Sequence, residues 1–486
     1  MRRAALLLVY LAIATTLVLA HEPWRDELQA WSLARGSASL AGLVDATRYE
    51  GHPSGWYLLL FALTRATASF RAVQLLHLGL IGGAVALLVW RAPLTGLQKA
   101  LAVFGYFLVY EYAALARNYA LGVLGLFLFA ALARDWRRHW LGMALALLLM
   151  LQANAYAALL ALAMAVPTGV VLWRRAAGES RLRRRLALAG LIVAVGALIS
   201  VMDLRAPADS SFMPAWHWRD PAIGAVLRVF AHAFVPVPRP TLHFWNTSLL
   251  DTVGSPWLEW AVALAALTAV LAILRRRPVA LAAFALACLA LGGLMAVKYL
   301  GFLRHHGHFY LAFLGALWLG ESLAPDAPPR GRTASALLTA LLALQVLATL
   351  PAAAIELRYP FSRSREAAAF VATQVDARCD RVGSPDHAAS AVAMWLNAPL
   401  YYPRGEREAV ALVWDARRGG DEPADPLPAL RERARASGCA LLITNRPLEA
   451  AALSQGLAPL ASFAPAIEAT EVYYLYLATD STAVHP

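Results

Sequence analysis

The sequence predicts an all-α polytopic membrane module of about eleven transmembrane helices, followed by a soluble C-terminal α/β domain. Three observations lead to this fold class. The 486 residues are 60% hydrophobic and only 15% charged, with a mean hydropathy of +0.54, which is too apolar for a soluble chain of this length. Long apolar runs recur up to residue 350. Beyond that point, short apolar runs alternate with polar stretches, as in a soluble domain.

The apolar segments can be followed in order, each long or nearly long enough to cross a hydrocarbon core when tilted. We expect spans at 4–20, 72–90, 100–116, 119–133, 140–153, 155–173, 186–202, 257–274, 279–297, 309–321 and 334–350. Two outside loops, 21–71 and 203–256, interrupt the module. The second loop is rich in Pro and Trp, which predicts short interfacial helices. The membrane module therefore covers 1–350 and the exported domain covers 351–486.

The basic residues agree with these spans. The net charge is +12, and Lys and Arg cluster in alternate short loops, as they do in the cytoplasmic loops of membrane proteins. Membrane topology explains the charge better than nucleic acid does, so membrane lipids and not nucleic acid are the expected partners. The alternation places the N-terminus inside and the C-terminal domain outside. A bacterial inner membrane, with this domain in the periplasm, fits that orientation.

The first span ends in Val18, Leu19 and Ala20, small and apolar residues that are also typical of a cleaved signal peptide. Pro23 and several acidic residues follow at once. We therefore favour a retained span; cleavage would leave the downstream charge alternation unchanged.

From residue 351 the alternation of short apolar runs and helical stretches predicts a small α/β domain with a largely parallel sheet. It contains no phosphate-binding glycine motif and no nucleophile motif, so we interpret it as a lid or scaffold. Cys379 and Cys439 each precede an apolar strand and would meet if those strands are neighbours. The sequence is compatible either with a disulfide between these two cysteines or with two buried thiols. Cys288 lies within a span and is expected to pack there.

The first outside loop opens with the segment 21–27, which reads HEPWRDE. Pro23 can start a short helix whose first turn carries Asp26 and Glu27, with an apolar side on the membrane surface. The two acids could simply complement the helix dipole. A functional interpretation is favoured because other polar residues are expected at the same outer boundary.

Two further clusters lie at this boundary. Glu50 and His52 occupy a turn formed by Gly and Pro before an aromatic pair. Arg117 and Tyr119 lie in a very short outside connection, where the positive-inside rule disfavours an Arg. An anionic ligand, or a carboxylate such as Glu111, would satisfy Arg117.

A fourth cluster again places positive charge outside, at Lys298 and Arg304. His305 and His308 share a helical spacing, whereas His305 and His306 cannot both face one ligand. We therefore favour phosphate binding by the two basic residues, with histidine hydrogen bonds, over a metal site.

These motifs resemble the GT-C superfamily of polytopic membrane glycosyltransferases, which includes protein O-mannosyltransferases, the aminoarabinose transferase of lipid A and the Rhizobium lipopolysaccharide glycosyltransferases. The resemblance lies in WRDE at 24–27, EGHP at 50–53 and ARNY at 116–119. It covers the first third of the chain in sequence and the later region only in architecture. The motifs are short, so their order and their positions in the topology carry the specificity.

The resemblance implies a GT-C-like transferase that moves a sugar from a polyprenyl-phosphate donor to an acceptor at the outer face of the membrane, with inversion of the anomeric centre. Asp26 matches the acidic residue taken as general base in the family, and Glu27 would orient or replace it. The leaving lipid phosphate needs positive donors, and the candidates are Arg117, Lys298, Arg304, His305 and His308.

The remaining polar residues of these motifs would bind or position the acceptor: Arg25, Glu50, His52 and Tyr119. The acceptor itself, whether lipid, glycan or protein, stays open. No cofactor is expected. The first loop lacks a paired Asp-x-Asp motif, so no divalent metal is assigned.

Two other classes of protein share parts of this pattern. A transporter or flippase of a lipid-linked or anionic substrate would also combine many spans with buried charge, but it should show two corresponding halves with matching helix breaks. No such repeat is found in the sequence. An assembly scaffold would make the polar clusters incidental. We rank the transferase first, the transporter second and the scaffold third.

Overall fold

The structure is a computed structural model that describes residues 3–211, 218, 220–419, 425–453 and 456–479. Up to Glu356 it is helical. In chain order the helices are α1 (Arg3–Ala20), α2 (Arg25–Gly36), α3 (Leu40–Thr47), α4 (Gly55–Ala66), α5 (Phe70–Arg91), α6 (Gly96–Val103), α7 (Tyr119–Leu132), α8 (Trp136–Leu151), α9 (Ala155–Arg175), α10 (Ser180–Leu204), α11 (Ile223–Phe234), α12 (Leu249–Val253), α13 (Pro256–Leu274), α14 (Pro278–Val297), α15 (Leu303–Leu323) and α16 (Arg332–Glu356).

Local sequence explains where several of these helices begin. Pro256 and Pro278 are the first residues of α13 and α14, where the fixed φ of proline suits a helix and its missing N–H is not needed. The Asn154 side chain accepts a hydrogen bond of 2.9 Å from the N–H of Ala157 and caps α9.

Within the described residues, eight helical runs are long and apolar enough to cross a membrane. They are α1, α5, the run Tyr119–Leu151, α9, α10, α13, α14 and α16. The chain is therefore a multi-pass membrane protein, as the composition predicts. The expected count of about eleven spans is not confirmed.

The difference in count has physical reasons in two places. The predicted span at 100–116 is broken, because α6 ends at Val103 and a short π-helix (Phe107–Glu111) follows. The predicted span at 309–321 lies within α15, where every residue except Glu321 is buried. A helix that is buried on all sides belongs to the centre of a bundle, and α15 therefore forms the core of the module.

The run Tyr119–Leu151 contains two of the predicted spans. A 3-10 turn at Ala133–Asp135 separates α7 from α8, and the two helices pack against each other. Gly125 lets them approach closely, since a Cβ there would lie 2.7 Å from the carbonyl oxygen of Ala146. The run therefore folds back on itself as a helical hairpin.

The first outside loop forms α2, α3 and α4. The prediction of a short helix after Pro23 is confirmed, because α2 begins at Arg25. Its apolar side was expected on the membrane surface, but Leu28 and Trp31 are buried against the C-terminal domain. By contrast, Leu40 on α3 and Leu58 on α4 remain exposed, as in interfacial helices. In the second loop, α11 and α12 are the short helices, and residues 212–217 and 219 lie outside the described residues.

The C-terminal domain combines short helices with one six-stranded sheet. Its elements are α17 (Ser364–Gln374), β1 (Asp380–Gly383), α18 (Asp386–Leu396), β2 (Leu400–Tyr402), β3 (Arg407–Ala409), α19 (Leu427–Ser437), β4 (Cys439–Thr444), α20 (Ala450–Leu453), β5 (Leu457–Phe463) and β6 (Tyr473–Thr479).

The strand order is β3-β2-β1-β4-β6-β5. Strand β1 is parallel to β2 and β4, but the other three pairs are antiparallel. The prediction of a largely parallel sheet is therefore wrong; the sheet is mixed. Asp380 pairs with Ala440 in the register of β1 and β4. The preceding Cys379 and Cys439 are consequently neighbours, and a disulfide joins them.

The C-terminal domain shares a hydrophobic core with the first outside loop. Leu28 and Trp31 of α2 belong to one buried cluster with Val392 of α18, Ile443 of β4 and Leu475 of β6. The domain is therefore fastened onto α2, at the end of the helical module that holds the polar clusters.

Candidate active site

A cavity of about 480 Å³ lies between the helical module and the C-terminal domain. Residues of the domain, including His387, Leu412 and Trp414, contribute to its lining. Many of the predicted site residues also line it: Arg25, Asp26, Glu50, His52, Arg117, Tyr119, Arg304 and His305. The clusters that the sequence places at one boundary are therefore together in space.

Glu27 does not line this cavity. It is buried, and its Oε2 lies 2.8 Å from His21 Nε2 and accepts a 3.2 Å hydrogen bond from the N–H of Trp24. Its Oε1 accepts a 2.6 Å hydrogen bond from the N–H of Ala116. These contacts attach the first turn of α2 to the connection before α7, and they give Glu27 a positioning role.

Lys298 and His308 are likewise not among the residues that line the cavity. The Lys298 ammonium lies 3.8 Å from the centroid of the Trp218 ring. His308 is buried in α15, where its Nδ1 is 3.0 Å from the carbonyl oxygen of His305. Of the residues predicted to bind phosphate, only Arg117, Arg304 and His305 thus face the cavity.

Asp26 lies between two arginines. Its Oδ2 is 2.7 Å from Arg117 Nη1 and 3.6 Å from Arg304 Nη2, and one third of its side chain is exposed. Burial tends to raise the pKa of Asp26, but Arg117, then Arg304 and Arg25, outweigh it and lower the pKa below its usual value. In this arrangement Asp26 is an ionised carboxylate held by its neighbours.

Asp26, and not Glu111, is therefore the carboxylate that satisfies Arg117. The Glu111 side chain accepts hydrogen bonds from the Tyr106 hydroxyl at 2.8 Å and from the Trp245 ring N–H at 3.3 Å. Arg117 thus has a carboxylate partner, the type that the sequence predicted, supplied by a different residue.

Arg304 is buried in the first turn of α15 among aromatic rings. Its guanidinium carbon lies 5.5 Å from the Trp24 ring centroid, 5.2 Å from that of Trp245 and 4.9 Å from that of Phe302. Its Nε and Nη1 have no hydrogen-bond partner among the described residues. Unpaired donors on a buried charge cost free energy, so this guanidinium is suited to an anion that enters the cavity.

Glu50 is a second carboxyl group in the cavity. The Gln29 side-chain amide donates a 2.9 Å hydrogen bond to it, and the Tyr57 hydroxyl donates one of 3.3 Å. Burial raises the pKa of Glu50 to about 7, although Gln29 and Arg117 oppose that change. Two carboxyls whose pKa values move in opposite directions are typical of sites that transfer protons.

Two histidines hold neighbouring side chains of the cavity. His52 Nε2 lies 3.5 Å from Arg117 Nη2. Burial, then Arg117, lowers the pKa of His52 to about 3, so the ring is neutral and can accept from the guanidinium. His305 accepts from the N–H of Phe302 through Nδ1 at 2.9 Å, which leaves Nε2–H to donate to the Tyr119 hydroxyl at 3.0 Å.

The sequence did not reveal the contacts that fasten α2 to the C-terminal domain. Arg25 Nη1 lies 3.0 Å from Glu471 Oε1 and donates a 2.8 Å hydrogen bond to the Thr470 hydroxyl. Gln29 forms two hydrogen bonds with the backbone of Leu412, a donated bond of 2.7 Å and an accepted bond of 3.1 Å. These partners are hundreds of residues apart, and no local pattern connects them.

His21 forms a buried bridge that sequence reasoning also missed. Its Nε2 is 2.8 Å from Glu27 Oε2 and its Nδ1 is 2.9 Å from Glu356 Oε1. Burial tends to lower the pKa of His21, but the two carboxylates outweigh it and raise the pKa to about 10. A doubly protonated His21 thus ties the beginning of α2 to the end of α16.

Comparison with protein-family models finds no match for this chain, and comparison with curated proteins finds none either. The functional argument therefore depends on the cavity and on the order of the short motifs.

Proposed function

We propose that this chain is a glycosyltransferase that moves a sugar from a polyprenyl-phosphate donor to an acceptor hydroxyl at the outer face of a membrane. The observation that supports it best is the buried Arg304, whose Nε and Nη1 have no partner among the described residues and which lies in the same cavity as Arg117 and Asp26. A planar guanidinium with free donors matches the geometry of a phosphate group.

The donor phosphate would compete with Asp26 for the two arginines. Asp26 Oδ2 now takes both contacts, at 2.7 Å from Arg117 and 3.6 Å from Arg304. When the arginines turn to the phosphate, Asp26 loses most of the positive charge that lowers its pKa. Donor binding therefore converts a weak proton acceptor into a stronger one.

In the transfer step the acceptor oxygen attacks the anomeric carbon as the bond from that carbon to the phosphate oxygen breaks. The electron pair of the broken bond leaves with the polyprenyl phosphate, and the acceptor proton passes to Asp26. Attack opposite the leaving group inverts the anomeric centre. Arg117 and Arg304 stabilise the charge that grows on the leaving phosphate.

Other cavity residues would position the acceptor. Glu50, with a pKa of about 7, is held by Gln29 and Tyr57 and can accept or donate a hydrogen bond near neutral pH. His52 and Tyr119 hold the arginine and histidine side chains behind the phosphate.

A flippase of a lipid-linked anion would use the same arginines to bind a head group. The sequence shows no internal repeat, whereas a transporter should show two corresponding halves with matching helix breaks, and this favours the transferase. The distribution of basic loops supports an outward orientation of the cavity, and we propose a bacterial inner membrane with the C-terminal domain in the periplasm.

The test is sugar transfer by the full-length chain in cell membranes that contain a radiolabelled pool of polyprenyl-phosphate sugars. Asp26→Asn keeps the shape of the side chain and removes the base, so we expect transfer to fall by at least about 100-fold. Asp45→Asn is the matched control, because Asp45 lies in the same loop with 76% of its side chain exposed and pairs with the exposed Arg48. This control should transfer at the wild-type rate.

Two results would contradict the proposal. Equal transfer by Asp26→Asn and the wild type would remove Asp26 from the chemistry. Retention of polyprenyl phosphate by the purified wild type, without transfer from any sugar in the pool, would favour the flippase. Thermal unfolding of each variant shows that a loss of transfer is not a loss of folding.

A further inference from the structure

A second polar cluster lies beside the cavity, at the ends of the helices around the second outside loop. It consists of His232 on α11, Asp251 on α12 and Glu259 on α13, whose ligand atoms lie within 4.8 Å of one another. His306 on α15 lines the same pocket. We propose that these four residues bind one Zn²⁺ ion, a site separate from the sugar-transfer chemistry.

The first argument is the geometry of His232 and Asp251. His232 Nε2 lies 3.2 Å from Asp251 Oδ1, yet among the described residues Nε2 has no hydrogen bond of good geometry. Two ligand atoms, each 2.0 to 2.1 Å from a tetrahedral ion, are about 3.3 Å apart. Their separation is thus that of two ligands of one ion. The nearest Glu259 oxygen lies within 4.8 Å of both ligand atoms.

The second argument is His306, which is only 8% exposed. Neither of its ring nitrogens has a hydrogen-bond partner of good geometry among the described residues. Its ring centroid lies 5.8 Å from that of His232, and the carbonyl groups of Leu300 and Gly301 are close by. A metal-binding imidazole commonly donates its other N–H to a backbone carbonyl. One nitrogen of His306 can therefore bind the ion while the other turns to that carbonyl.

Two arginines lie beside the two carboxylates of this cluster. Arg228 Nε lies 2.8 Å from Glu259 Oε2, which fixes the carboxylate and leaves its other oxygen free to bind. Arg239 also lines the pocket. The positive charge of the two arginines opposes a cation, so the site needs both ionised carboxylates as ligands.

The donor set favours zinc over magnesium and calcium. Two imidazole nitrogens and two carboxylate oxygens suit Zn²⁺ in tetrahedral geometry, whereas Mg²⁺ and Ca²⁺ prefer oxygen ligands alone. Four protein ligands form a closed, structural site. The ion would join α11, α12, α13 and α15. It would thereby hold the first turn of α15, which carries Arg304 into the neighbouring cavity.

The test is the metal content of the full-length chain, purified in detergent with an affinity tag that lacks histidine. After loading with Zn²⁺ and dialysis against metal-free buffer, mass spectrometry should find about one zinc per chain. His232→Ala and Glu259→Gln should each lose it, and His139→Ala, which changes a histidine of α8 far along the chain, should retain it. Zn²⁺ should raise the Tm of the wild type and of the control but not that of the two site variants.

Co²⁺ provides a second readout, because a tetrahedral site of this kind gives visible absorption bands in the wild type and loses them in the site variants. If His232→Ala fails to fold, Asp251→Asn replaces it, since that change keeps the shape of the side chain. Zinc content in the wild type no higher than in the site variants would overturn the site. Retention of a different metal by the same residues would overturn the assignment to zinc. Because these readouts are independent of sugar transfer, an inactive transferase would not affect them.

Discussion

Replacement of His21 by Gln should strongly destabilise the protein. The variant keeps a polar side chain of similar size but removes the cation that lies 2.8 Å from Glu27 and 2.9 Å from Glu356. Breaking a buried ion pair from one side costs about 3–5 kcal/mol, because the opposite charge stays buried without compensation. The rise in the His21 pKa from 6.5 to about 10 gives a second estimate of this free-energy cost. It corresponds to about 5 kcal/mol at most, at about 1.36 kcal/mol for each pH unit.

The effect should depend on pH in a defined direction. The pKa of His21 is raised on folding, so the protonated ring stabilises the folded state fully below the unfolded pKa of 6.5. This contribution declines as the pH rises and is lost near pH 10. The difference in free energy of unfolding between the wild type and His21→Gln should therefore shrink between pH 7 and pH 9.5.

The assay is denaturant unfolding in detergent, followed by circular dichroism at several pH values. His243→Gln is the matched control, because His243 Nδ1 makes one 3.0 Å hydrogen bond to the carbonyl oxygen of Ile467. It should cost about 1 kcal/mol at all these pH values. A difference for His21→Gln below about 1 kcal/mol, or one that does not change with pH, would refute the charged bridge.

Two further predictions concern stability. Glu50 stays neutral in the folded protein until about pH 7, whereas the unfolded carboxyl ionises from about pH 4.5, so folding stability falls as the pH rises between these values. Relative to the wild type, Glu50→Gln should therefore gain up to about 3 kcal/mol of folding stability between pH 5 and pH 8. A parallel pH dependence of the two Tm values would contradict this. Cys379 and Cys439 are 60 residues apart, so a Cys379→Ser, Cys439→Ser double variant should lose about 4 kcal/mol of folding stability by the chain-entropy estimate. Limited proteolysis of the C-terminal domain measures the loss, with Cys288→Ser as the control. Unchanged resistance of the double variant to proteolysis would refute the prediction.

Much of the cavity could be predicted because topology constrains it. The predicted topology places Arg117 and Arg304 in outside loops, where basic residues are disfavoured, and this pattern predicted an anionic partner or ligand for each. Asp26 and Glu27 are adjacent in α2, but of the two only Asp26 lines the cavity. The sequence could not decide which of the two does, because that depends on how α2 packs against the rest of the protein.

The C-terminal sheet shows which structural features the local sequence patterns did not predict. Helices occur in the connections between β1, β2 and β4, and β1 is parallel to both β2 and β4. Strands β5 and β6 are joined by a short connection without a helix, which permits only antiparallel pairing. The contacts of Arg25 with Glu471, and of Gln29 with Leu412, join distant segments, and only the folded chain brings them together.

The ion pair between Arg25 and Glu471 also sets an order of events in the cell. The two residues are separated by 446 positions, so the ribosome makes Arg25 long before it makes Glu471. The helical module can insert into the membrane while synthesis continues, but the C-terminal domain cannot cover the cavity until its last strands have been made and have folded. A product that terminates before Thr470 is anchored in the membrane and lacks an enclosed site. Enclosure of the cavity therefore requires that translation has passed Glu471.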